Sequence, residues 1–231
     1  MRIAAFIFAR GGSKGLPKKN LKLLRGAPLV GIAIQQAKVV SRIEEVFVST
    51  DCEEIAAVAR EYGATVPFLR PANLAQDDSP EILAWKHALN ELKLQRGAYP
   101  EIILSLPATS PLRSVEDINA CLDMYLKYKP DLVITVADSF RNPYFNMVRM
   151  DSENSAELVI KPPKKIYRRQ DAPTVYDVTT VAFVARSSFV LDTESLYDGS
   201  IRAVKIPHER SIDIDNISDF EYAEYLAGKL G

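Results

Sequence analysis

At 231 residues, 47% of them hydrophobic and 26% charged, the chain has the size and composition of one soluble globular domain with a substantial core. A formal net charge of −1 excludes a global field that would recruit nucleic acid or an anionic membrane. Cys52 and Cys121 lie far apart with no metal-ligand spacing, and the apolar start, Met1 to Phe8, is too short for a signal peptide or a membrane span. A reduced, cytoplasmic protein is expected.

Short apolar runs alternate with amphipathic stretches, the pattern of an α/β domain with a largely parallel sheet. Ile3 to Ala9 reads as a central strand covered on both faces. A glycine-rich polar loop follows, then a helix from about Pro28 to Val40. Glu45 to Ser49 is the second strand. Asp51, with Glu54 three residues on, looks like the N-cap of a helix ending near Gly63. Thr65 to Leu69 is expected as a third strand, and Ser79 to Leu94 as a helix with Pro80 at its first position. Ile102 to Leu106 and Leu132 to Ala137 are further buried strands, separated by a helix from Val115 to Tyr128. From Phe140 to Tyr176 the rhythm breaks into Pro-, Asn-, Arg- and Tyr-rich sequence, an insertion suited to a dimerisation arm. The alternation resumes with Val178 to Ala185, Arg202 to Ile206 and a last helix from Ser218 to Leu230. One domain with an excursion is the expected organisation.

Ligands of open α/β sheets bind beyond the carboxyl ends of the strands. Three polar segments are expected to meet there: Ala9 to Asn20, Pro107 to Arg113, and Ile212 to Asn216. In the first, Gly11, Gly12 and Gly15 let backbone amides approach an anion, while Arg10, Lys14, Lys18 and Lys19 add charge within reach of a triphosphate. The glycines match neither a P-loop nor a dinucleotide fingerprint. In the third, Asp213 and Asp215 are two apart on an extended chain, so both carboxylates face one side, as hard ligands for Mg²⁺ beside phosphates do. Alone, such a pair is weak: Asp215 or Asn216 is equally suited to cap the last helix. His87 and His208 are poor candidates for a base, and Trp85 reads as core.

Together these segments resemble the N-acylneuraminate cytidylyltransferases, the CMP-sialic acid synthetases, and their bacterial relatives. The resemblance spans nearly the whole chain through six ordered signatures. They are Ala9 to Gly15 with Lys19-Asn20; Val48-Ser49-Thr50-Asp51; Arg70-Pro71 with Leu74-Ala75 and Asp77; Thr109 to Arg113; Arg169-Gln170; and Asp213-Ile214-Asp215. It implies a three-layer nucleotide-binding α/β domain of the nucleotide-diphospho-sugar transferase type, paired into a homodimer through the extension. It also implies CTP and a 2-keto acid sugar as substrates and Mg²⁺ as cofactor. Arg10 and Lys19 would bind the triphosphate along the Ala9–Gly11–Gly12 backbone, Asn20 and Arg70 would seat the cytidine, and Asp213 and Asp215 would hold Mg²⁺. Arg169 would face the sugar and enter the partner subunit's site.

The residue chemistry points the same way. Transfer of a nucleotidyl group needs positioning and charge neutralisation, which Arg10 and Lys19 supply for the leaving pyrophosphate. Asp215 is the favoured acceptor of the sugar's hydroxyl proton. Arg168 or Arg169 suits the sugar's carboxylate. Two departures lie on the sugar side: Pro107-Ala108 stands where many sialic acid enzymes carry a glutamine, and Thr179 stands where they carry an asparagine. The runs Arg141 to Asn146 and Arg169 to Pro173, with Tyr176-Asp177, look more like the legionaminic-acid members. Tyr144, Phe145 and Tyr176 would suit a sugar with fewer hydroxyls, or else pack the dimer interface, with Gln170 and Thr179 also on the sugar side. The alternatives are a ketodeoxyoctonate cytidylyltransferase, a non-catalytic nucleotide-binding scaffold, and a metal-dependent glycosyltransferase. The last normally carries its Asp-x-Asp after a central strand rather than near the C-terminus.

Overall fold

The computed structural model describes residues 2–230. Strand β1 (Ile3–Phe8) is apolar throughout, and its side chains alternate between two cores: Ile3, Ala5 and Ile7 enter one, Ala4 and Phe6 the other. That alternation makes the domain three layers thick. After the glycine-rich loop, β2 (Leu23–Leu24) and β3 (Ala27–Pro28) form a small antiparallel ribbon around Arg25-Gly26, both at positive φ. Next come α1 (Leu29–Lys38), β4 (Glu45–Ser49), α2 (Glu53–Glu61), α3 (Glu81–Arg96), β5 (Ile102–Ser105), α4 (Val115–Tyr128) and β6 (Leu132–Asp138). The excursion holds β7 (Val148–Met150) and β8 (Ala156–Leu158), and the chain closes with β9 (Tyr176–Arg186), α5 (Ser187–Asp192), β10 (Ile201–Lys205) and α6 (Ile217–Leu230).

The main sheet runs β10-β6-β9-β5-β1-β4. Five strands point the same way and β9 alone runs against its neighbours β5 and β6. Helices α1, α2, α4 and α6 cover one face, where Leu29, Ile55, Ile118 and Phe220 share a core with Ile7, Val48 and Leu104. Helices α3 and α5 cover the other, where Trp85, Leu89 and Val190 meet Phe6, Ile103 and Phe183. Trp85 is wholly buried, as expected of a core residue. Among the described residues no helix is long and apolar enough to cross a membrane.

Three local expectations change. Thr65 to Leu69 does not form a strand: it touches β4 only through isolated bridges at Phe47–Thr65 and Thr50–Leu69. Pro67 in its middle has no N–H to give the ladder. Asp51 does not cap α2, whose N-cap is Cys52 with no side-chain bond; its carboxylate is taken by the glycine loop instead. Helix α3 starts at Glu81, with Pro80 as the N-cap rather than the first helical residue. By contrast α4 has the expected span, opened by a reciprocal capping box between Ser114 and Asp117.

The register of β9 against β6 shifts between Val133 and Thr135. The buried Thr135 hydroxyl patches the irregularity: it donates to the backbone near Thr179 and Ala182 and accepts from the Ala182 N–H. Such a bulge re-aims the strand's side chains.

Candidate nucleotide-binding site

Every segment expected to carry function leaves or enters the sheet at one edge. β1, β4, β5, β6 and β10 all end there, and β9 begins there. Ala9, fully buried, ties the loop's root to the sheet by donating its N–H to the Ser49 carbonyl at 3.0 Å. The Gly11 N–H donates to Asp51 Oδ1 at 2.9 Å. Among the described residues no protein acceptor meets the N–H of Gly12, Lys14 or Gly15. None of the three glycines has a positive φ; the left-handed residue of this turn is Lys18, at φ 52. Glycine is required instead for close approach. A Cβ on Gly11 would lie 2.8 Å from Cys52 Cβ, and one on Gly15 would strike the Asp215 carbonyl. The second contact presses the glycine turn against the acidic segment.

Each cation of the loop is held by an acid. Arg10 and Lys14 share Asp77 at 2.6 and 2.5 Å, Lys18 meets Glu54 at 2.9 Å, and Lys19 meets Asp215 at 2.9 Å. Lys14 and Arg10 together hold the Asp77 carboxyl below its ordinary range. Sequence reading placed Asp77 in a signature without a role; the structure makes it the counter-ion of the loop.

The acidic segment is pinned by a backbone bond from the Ile214 N–H to the Thr109 carbonyl at 2.8 Å, so all three expected segments converge. Burial pushes the Asp213 carboxyl above the usual range. The Thr109 hydroxyl opposes this, the nearby Asp215 charge adds to it, and Lys19 and the Thr180 hydroxyl oppose it. Asp213 Oδ1 is buried without a partner. Asp215 is exposed and does not cap α6: Asn216 does, accepting from the Asp219 N–H at 3.1 Å while Asp219 accepts from Asn216 and Asp215. Behind this segment lies Arg113, 3% exposed, with Nε and one terminal nitrogen unpartnered; burial pushes its guanidinium down to about 9, against the pull of Asp213 and Asp117. Among the described residues no cluster of three or more His, Cys, Asp or Glu stands ready for a metal ion.

A cleft beside the turn is lined by Phe8, Arg10, Lys19, Asn20, Arg70 and Glu81, among others. Asn20 is buried and donates to the Arg10 carbonyl at 2.9 Å, which fixes its amide at the cleft's floor. Arg70 is 7% exposed. Four nucleotide-side residues, Arg10, Lys19, Asn20 and Arg70, thus line one opening, and Asp215 meets Lys19. Glu81 and Thr180 were not singled out from the sequence: an acid in a helix's first turn is ordinary, and Thr180's direction depends on the β9 bulge.

The sugar-side residues are arranged differently. Thr179 is buried, its hydroxyl donating to Thr135 Oγ1 at 2.8 Å inside the sheet. The neighbouring Thr180 is half-buried, 2.6 Å from Ser110 Oγ and in contact with Asp213. Arg168 is engaged by Asp171 through two 2.9 Å bonds, whereas among the described residues Arg169 donates to the Ser139 carbonyl alone. Arg169, Gln170 and Tyr176 are exposed and Tyr144 half-buried; none lines the nucleotide cleft. Cys121 is buried, its thiol pushed up to about 12 by desolvation, and is inert packing.

Comparison with known proteins identifies the family. A family model described as cytidylyltransferase matches residues 4–229. The chain is 33% identical over 230 residues to the CMP-N,N'-diacetyllegionaminic acid synthase of Legionella pneumophila, covering 98% of this chain and 96% of that one. It is 30% identical over 224 residues to the protein of the same name from Campylobacter jejuni, covering 97% and 94%. A solved CMP:2-keto-3-deoxy-manno-octonic acid synthetase complexed with CTP superposes over the full length of both chains, with a TM-score of 0.76 at 15% identity, a likeness of fold.

Proposed function

Because this chain belongs to the cytidylyltransferase family, we propose that it transfers CMP from CTP to the anomeric hydroxyl of a nonulosonic acid, releasing pyrophosphate. The sugar class is a nine-carbon, N-acylated 2-keto acid of the sialic or legionaminic type, after the acids named for the relatives. One observation carries the reading: the glycine turn with Lys19 is pressed against the Asp213–Asp215 segment at the sheet's carboxyl edge.

The triphosphate would lie along the Gly11–Gly15 backbone, against the unbonded amides. It would exchange places with Asp77 and Asp215 as the partner of Arg10, Lys14 and Lys19. As the sugar oxygen bonds to the α-phosphorus and the bridging oxygen departs, charge grows on the leaving pyrophosphate, where Arg10 and Lys19 neutralise it. Asn20 and Arg70 seat the cytidine. Asp215, at the solvent-facing mouth, receives the hydroxyl proton. Arg169, without a carboxylate partner among the described residues, grips the sugar's own carboxylate, with Gln170, Tyr144 and Tyr176 beside it. Thr180 takes the hydroxyl role expected of Thr179.

The donor set fits Mg²⁺. Asp213 Oδ1 is buried and unpartnered beside a second carboxylate, and hard oxygens next to phosphates are what this ion takes. When bound, it would neutralise phosphate charge between those two side chains.

The exposed apolar residues of the extension, among them Phe140, Val148 and Met150, support pairing into a homodimer that completes the sugar side. Pyrophosphate release tests the reading: it should require CTP, Mg²⁺ and a 2-keto acid sugar together, with legionaminate-type acids preferred across a panel. Release that ignores the sugar contradicts it.

A further inference from the structure

Glu81 begins α3 on the wall of the cleft that holds Arg70. An acid in a helix's first turn is favoured by the dipole, which explains a carboxylate there but not its restraint. The wholly buried Trp85 donates its indole N–H to Glu81 Oε1 at 3.1 Å. Trp85 in turn stacks on Phe8, centroids 5.9 Å apart, and Phe8 lines the same cleft. No donor among the described residues meets Oε2. The residue is exposed toward the cleft, and desolvation there pushes its carboxyl above the usual range. Arg70 is more than nine-tenths buried with an unpartnered Nε, and after Asp51 and Arg10 it also feels the Glu81 charge. The cleft therefore sets a fixed acceptor beside a buried donor array and leaves both unspent.

That polarity matches one pyrimidine. Cytosine presents acceptors at O2 and N3 and a donor at its 4-amino group, whereas uracil presents a donor at N3 and an acceptor at O4. A carboxylate accepts from the amino group but has no proton for O4. We propose that Glu81 selects cytosine over uracil, its free carboxylate oxygen accepting from the 4-amino group while Arg70 donates to O2 and N3. This rests on the cytidylyl-transfer reading and adds the residue that sets its base specificity.

Glu81→Gln tests it, because the amide keeps an oxygen for Trp85 and can turn its NH₂ toward O4. Calorimetric titration with CTP and with UTP, each with Mg²⁺, should show a wild-type preference for CTP. In the variant the CTP-to-UTP affinity ratio should fall roughly 10- to 100-fold, CTP weakening as UTP strengthens. Pyrophosphate affinity and melting temperature should stay at wild-type values. Glu81→Asp, which keeps the charge but withdraws it, should lose CTP affinity without gaining UTP. An unchanged ratio in Glu81→Gln, or equal loss of both nucleotides, overturns the inference while leaving cytidylyl transfer intact. A wild-type protein that binds neither nucleotide overturns the underlying reading as well.

Discussion

The nucleotide cleft and the segment from 140 to 175 use the same residue types to opposite ends. In the cleft, Arg70 and Asn20 are buried, and Lys19 is fixed against Asp215 by a turn rooted in the central strand. In the extension, Arg168 meets Asp171 in the open, Tyr167 is 78% exposed, and three-residue strands carry Val148 and Met150 outward. The core pre-organises the first region, where desolvation makes each charge count. Among the described residues the second adds no buried hydrophobic side chain to either core.

The contrast can be broken by stability first. Trp85→Ala should cost about 3–5 kcal/mol in denaturant unfolding. Val148→Ala in dilute protein should cost less than about 0.5 kcal/mol. A hairpin substitution as costly as the core one would mean the extension is already packed. Next comes activity without stability. Asp213→Asn should reduce turnover about 10²–10³-fold in the pyrophosphate assay while the melting temperature holds, because it removes charge where the reaction needs it.

A smaller effect sits at the join between α4 and the segment leading to Asp213. Burial acts to raise the Asp117 carboxyl, but its bond to Arg210 and the Ser114 amide outweigh this, so it lies below the usual range. A depressed carboxyl contributes stability that is present above its unfolded value and lost as pH falls through the folded one. The wild type should lose stability below about pH 4, and Asp117→Asn should be flatter there in acid titration. Ser114→Ala, which removes half of the capping box, should cost about 1 kcal/mol by thermal melting. Last, Asp77→Asn should tighten pyrophosphate binding about two- to fivefold, since an exposed competitor for Arg10 and Lys14 has gone. Weaker binding would make Asp77 a contributor to the phosphate site instead.

What could be read beforehand follows from the same division. The apolar run Ile3–Phe8 and the periodicity of Val115–Tyr128 are local patterns, and each element is where it was expected. Thr65–Leu69 was not, because Pro67 breaks a ladder that side-chain hydrophobicity alone suggests. Asp51 reads as a helix cap until the fold brings Gly11 across to it. The direction of Thr179 hangs on a bulge closed by Thr135, and the importance of Glu81 on a tryptophan one turn away and an arginine from another loop. Those are long-range facts, absent from spacing.

A crystal of the protein grown with CTP and Mn²⁺, with the anomalous signal of the metal recorded, addresses the central arrangement. The account predicts one metal peak between Asp213, Asp215 and the phosphates, with the β- and γ-phosphates lying against the Gly11–Gly15 amides and Lys19. Phosphates bound elsewhere, or both aspartates turned away from the glycine turn with no metal beside them, would contradict it.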